Sequence, residues 1–111
     1  MKQNYTIRAK TRKGVAKPHF WIEGKRLESA GFIAGARYNT VENHVAQVRG
    51  NGGFMLVLDP DGKKKVSGSA GRPIIDIVGR DLTKSLLSIG DDVLITYGYP
   101  FDDNTITVEA L

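Results

Sequence analysis

Polar and apolar residues alternate through the first part of the chain. Across residues 5–10, Tyr5, Ile7 and Ala9 oppose Thr6, Arg8 and Lys10, which predicts a strand with one packed and one basic face. Phe20 and Ile22 repeat the pattern against His19, Trp21 and Glu23. Gly24 then permits a tight turn, and Leu27 and Ala30 stand three apart, as on one helix face. Gly35 leads into another alternating strand, marked by Tyr38 and Thr40.

The same instruction recurs 55 residues on. Pro18, Ile22, Gly24, Leu27 and Gly35 align with Pro73, Ile77, Gly79, Leu82 and Gly90. The matched prolines and glycines carry most weight, because they fix turns and turns fix register. Each copy, residues 18–40 and 73–95, reads as strand, short helical segment, strand. In the second copy Leu82 and Leu86 predict the helix face, and Val93, Ile95 and Tyr97 the closing strand. Neither copy alone has enough apolar surface to fold, whereas two packed together share a core.

Between the copies, residues 41–58 read as an insertion, with a strand-like run flanked by Val45 and Val48 and a turn at 50–53. The apolar run 54–58, the turn Asp59-Pro60-Asp61-Gly62 and the return through Lys63, Lys64, Lys65 and Val66 predict a hairpin. Its lysines either guard a sheet edge or extend a basic surface. Residues 67–72, SGSAGR, read as a linker. A last hairpin is expected over 93–109. Its tip holds Tyr99, Pro100, Phe101, Asp102 and Asp103, and reads as a polar turn, with contact to a protein partner as the alternative.

The spacing Pro18-x-Phe20-x-Ile22-x-Gly24-Lys25-x-Leu27-x-x-Ala30-Gly31-Phe32-x-x-Gly35 resembles the SymE toxin family, and Tyr5-Thr6-Ile7 resembles that family's first strand. SymE proteins sit in the AbrB/SpoVT/MazE group of swapped-hairpin proteins. The copy with Gly79-x-x-Leu82 and Gly90-Asp91-x-Val93 resembles a generic AbrB half-unit. Arg26 stands where a Trp is usual in the family, and two units stand where one is usual. The resemblance implies a mainly β, swapped-hairpin barrel made by one chain as its own pseudo-dimer. It divides the chain into a first unit with an extra hairpin (1–66), a linker (67–72) and a second unit (73–111). It also implies nucleic-acid binding.

Charge sharpens that expectation. The formal net charge of +4 conceals a gradient of +7 over residues 1–26, +2 over 27–72 and −5 over 73–111. Such asymmetry points to a polyanion at the first part of the chain. Arg8, Lys10, Arg12, Lys13 and Lys17, with Lys25 and Arg26 at the next turn, are the candidate nucleic-acid contacts; residues 11–17 read as a mobile basic loop. His19 and Trp21 are candidates for packing against bases or backbone, although covering the second side of a sheet is the favoured reading for Trp21.

Other chemistries find little support. The chain has no Cys, which excludes a disulfide scaffold and a Cys-ligated zinc site. No apolar run approaches membrane-spanning length and no signal-peptide pattern opens the chain, so a cytoplasmic, nucleoid-associated protein is expected. His19 and His44 lack neighbours at metal-ligand spacing, and no nucleophile or phosphate-loop motif occurs, so no catalytic residue, metal or cofactor is assigned. The expected partner is nucleic acid, DNA before RNA, in transcriptional regulation, nucleoid-like packing or a toxin–antitoxin system. The expected state is a monomeric pseudo-dimer or a homodimer. Two alternatives stand: an RNA-cleaving toxin using His19 or His44 as acid–base, and a protein-binding inhibitor of phage or mobile-element origin; separately, Tyr99 and Phe101 are the candidate contacts for a protein partner.

Overall fold

The computed structural model describes residues 1–98 and 104–111. The chain runs β1 (Lys2–Thr6), β2 (Arg8–Arg12), β3 (Val15–Glu23), α1 (Lys25–Ser29), β4 (Arg37–Glu42), α2 (His44–Val48), β5 (Gly53–Leu58), β6 (Lys64–Lys65), β7 (Ser67–Ser69), β8 (Arg72–Val78), α3 (Arg80–Lys84), β9 (Asp92–Tyr97) and β10 (Thr105–Ala110). The fold is mainly β, in two antiparallel sheets. One has the order β1-β9-β10-β5-β4-β6 and the other β2-β3-β8-β7. They do not close into one barrel among the described residues. The proposed contact residues Tyr99 and Phe101 lie outside those residues.

The core lies between the sheets. Phe20, Ile22, Ile75 and Ile77 face it from the smaller sheet, and Phe54, Leu56, Val93, Ile95, Ile106 and Val108 from the larger. Phe20 packs edge-on against Phe54 across the gap, with ring centroids 5.4 Å apart. Leu27, Phe32, Leu82 and Leu87 close the ends. Leu87, not Leu86, is the buried residue after α3. Leu86 adopts φ 62 and is exposed, and the Leu87 N–H bonds the Leu82 carbonyl just as Phe32 N–H bonds that of Leu27.

The repeat seen in sequence is present in the pairing. Trp21 in β3 stands opposite Asp76 in β8, its own equivalent 55 residues on. Gly24 N–H donates to the Pro73 carbonyl at 3.0 Å, and Gly79 N–H to the Pro18 carbonyl at 2.9 Å, a reciprocal pair. In the other sheet, Tyr38 and its equivalent Val93 pair with Leu58 and Ala110, so β5 and β10 correspond 52 residues apart. Met55 and Thr107, related by that offset, pair directly. A local twofold relation therefore runs through Trp21/Asp76 on one sheet and Met55/Thr107 on the other.

Several expectations change. Residues 5–10 are not one strand: Ile7 is buried between β1 and β2, and its N–H and C=O bond Asp91 and Gly90, so the chain passes from the larger sheet to the smaller there. Val66 does the same in the second half, bonding Ala36 and Gly35, which places β6 and β7 as counterparts of β1 and β2. Residues 67–72 are consequently not a linker but a short hairpin formed by β7 and the start of β8. The hairpin expected over 54–66 is absent. The Asp59–Gly62 turn forms, with Gly62 N–H on the Asp59 carbonyl at 2.9 Å, but β5 and β6 flank β4 on opposite sides. The connection crosses β4 so closely that a Cβ on Gly62 would lie 2.6 Å from the Tyr38 carbonyl oxygen. The strand-like run around Val45 is helix α2, started by Asn43, whose side chain accepts from the Ala46 N–H.

Candidate nucleic-acid interface

Strands β2 and β3 continue past the core as a two-stranded ribbon. Every residue of β2 and the first three of β3 are exposed. Lys13 and Gly14 form a two-residue turn at φ 52 and φ 78, so residues 11–17 are a tight hairpin and not a loose loop. Arg8, Lys10 and Arg12 alternate onto one face, and across from them stand His19, Lys17 and Val15 respectively. Lys10 directly opposes Lys17, an arrangement that costs stability unless an anion relieves it. None of Arg8, Lys10, Arg12, Lys13 and Lys17 forms an ion pair among the described residues.

That face continues across the smaller sheet through Trp21 and Asp76. Trp21 is 39% exposed and meets the His19 ring edge-on at 6.0 Å, so it covers the outer side of the sheet while leaving part of its ring in water. His19 Nε2 lies 2.7 Å from Asp76 Oδ1. The Tyr5 hydroxyl accepts from the Trp21 N–H at 3.0 Å, which fixes this end of the face against β1.

Lys25 and Arg26 do not join this group. They follow the far end of β3, and the nine residues from Val15 to Glu23 separate them from the ribbon tip by roughly 26 Å. Arg26 lies beside Tyr97: burial pushes that hydroxyl up to about 12, and the Arg26 charge pulls the other way. The reciprocal pairing brings α3 to the ribbon base instead. Gly79 sits against the Lys17 side chain, which a Cβ there would meet at 3.5 Å, so Arg80 begins its helix beside the base. Lys64 on β6 is held by Asp81 at 2.7 Å. Sequence reasoning missed Arg80 and Asp76. The signal was available for Asp76, since position 76 is the 55-residue equivalent of Trp21.

His44 lies on α2, against the larger sheet, so the two histidines are not brought to one site. Among the described residues no group of three or more His, Cys, Asp or Glu side chains could hold a metal, and no helix is long and apolar enough to cross a membrane. No family model matches the chain, and no curated protein or solved structure matches it.

Proposed function

We propose that the protein binds nucleic acid, duplex DNA before RNA, through the basic ribbon and the Trp21 face, as two interlocked AbrB/SymE-like half-units in one chain. The observation that carries this reading is the ribbon itself. Five cations stand on ten residues that contribute nothing to the core and have no ion-pair partners among the described residues. A two-stranded ribbon fits the major groove, and five residues of β2 reach about 17 Å along it. Such contacts would position the protein without reading sequence. Regulation, nucleoid-like packing and a toxin–antitoxin role all accommodate this mode.

Salt-titrated binding to duplex DNA, single-stranded DNA and RNA tests it. Five phosphate contacts give a slope of log affinity against log salt of roughly −4 to −5 on duplex. Replacing Arg12 and Lys13 by Ala should flatten the slope by roughly two units and weaken all sequences alike. An unchanged slope and affinity would remove the ribbon from the interface. The His19–Asp76 pair favours one second reading, RNA cleavage with His19 as acid–base. Decay of RNA in the same samples, stopped by His19→Ala, would establish it.

A further inference from the structure

The outer side of the larger sheet holds a pocket of ≈ 450 Å³, on the face turned away from Trp21. Its floor is a rung of directly paired residues: Lys2 with Thr96, Thr96 with Thr107, and Thr107 with Met55. Leu94 and Glu109, paired one rung along, extend it. Helix α2 forms a wall with Val45 and Arg49. The wall stands close because Ala46 packs over Gly53, where a Cβ would sit 3.3 Å from that of Ala46 and 2.5 Å from the Val108 oxygen.

Two features separate this pocket from an ordinary groove. Thr107 is only 8% exposed, and its Oγ1 has no hydrogen-bond partner among the described residues. A buried hydroxyl left so is costly, and Thr107 is one of the residues that line the pocket. The charges are also unequal. Arg49 holds both Glu109 oxygens at 3.0 Å and Asn51 adds a third bond at 3.3 Å, so Glu109 is neutralised. Lys2 has no ion-pair partner among the described residues. Its ammonium offers a donor to an anion, rotation about the Thr107 Cα–Cβ bond brings that hydroxyl to the pocket as a second, and Val45, Met55 and Leu94 supply apolar walls.

We propose that this pocket binds a small organic carboxylate with a compact apolar body, the carboxylate on Lys2 and Thr107 and the body between Val45, Met55 and Leu94. The volume lies in the usual range for small-ligand sites. The pocket is independent of the nucleic-acid reading, because it shares no residue with the ribbon or the Trp21 face.

The test is a backbone-amide NMR titration of the full chain with sodium 3-phenylpropionate, against 3-phenylpropionamide and acetate. Saturable shifts at Met55, Thr96 and Thr107 are expected, with a Kd on the order of 0.1–1 mM, weakened about tenfold for the neutral amide. Acetate, which lacks the body, should bind more weakly still. Thr107→Val and Lys2→Met should each weaken 3-phenylpropionate about five- to tenfold. Thr107→Ser, which keeps the hydroxyl, should retain affinity. Thr107→Val should melt no lower than the parent, because it removes an unpartnered polar atom, and this separates lost binding from lost folding. Absence of saturation, or equal affinity for acid and amide, would overturn the proposal and leave a hydrated groove.

Discussion

The molecule makes the same hairpin twice, at two lengths and with two charges. Ten residues separate Ile7 from Pro18, and six separate the equivalent Val66 from Pro73. The longer hairpin carries Arg8, Lys10, Arg12, Lys13 and Lys17; the shorter carries Arg72 alone, whose Nε lies 3.7 Å from Glu23. Both rest on the same base, where Gly79 bonds Pro18 and Gly24 bonds Pro73. The base is built from matched apolar and Gly/Pro positions, so both halves must keep it to share a core. The hairpins beyond it carry no core residue, and their length and charge can diverge without disturbing the core. The repeat supplies the scaffold, and the halves depart from it in the exposed hairpins.

Replacing residues 8–17 by the six-residue sequence of 67–72 makes the two hairpins alike. Five cations leave and the grafted Arg brings one back, so duplex affinity should fall by about 10²-fold at low salt and the salt slope should flatten by roughly three to four units. Thermal stability should move by about 0.5 kcal/mol or less, as for exposed substitutions elsewhere. Retained binding would assign the interface to another surface; a collapse in stability would show that the ribbon contributes to the fold.

A second test separates the hairpins by their backbones. Gly14 has φ 78 with nothing within 4 Å of a Cβ, whereas Gly68 has φ 90 and a Cβ there would lie 2.3 Å from the Arg72 carbonyl oxygen. Gly14→Ala should cost about 1 kcal/mol from the left-handed backbone, much of it confined to a tip that can fray. Gly68→Ala adds a clash with backbone and should cost about 2–3 kcal/mol in denaturant unfolding. Equal costs would show that the short hairpin relaxes as freely as the long one.

What the sequence made legible follows from periodicity. The faces of β3, β8 and β9, the two helical turns at Leu27 and Leu82, and the basic hairpin are all local patterns, and all are present. What failed was non-local. Gly62 marks a crossing over β4 and not a hairpin return, because close approach to Tyr38 selects glycine there as much as a turn does. Ile7 and Val66 look like ordinary strand residues, although each carries the chain between sheets. Lys25 and Arg26 seemed continuous with the basic hairpin only because they are near in sequence. The long strand β3 parts them, and the reciprocal pairing brings the start of α3 to the ribbon base instead.

The smallest expected effect probes the sheet end of the candidate face, where the halves differ in kind: one contributes Trp21 and the other, directly opposite, Asp76. A carboxylate there would oppose any phosphate that reaches it. Its charge is partly offset only when His19, 2.7 Å away, is protonated. Asp76→Asn keeps the size and a hydrogen-bonding group for His19 while removing the charge. At a surface with effective dielectric near that of water, one repulsion across about 6 Å is worth roughly 0.5–1 kcal/mol, a two- to fivefold gain in duplex affinity. Fluorescence of Trp21, the only tryptophan, reports binding at this spot. If Asp76→Asn tightens binding and Trp21 responds, nucleic acid covers the sheet as well as the ribbon. If affinity is unchanged and Trp21 is silent, the duplex lies along the ribbon alone. Asp76 would then serve only to hold the His19 ring, and the functional difference between the halves would reside entirely in hairpin length and charge.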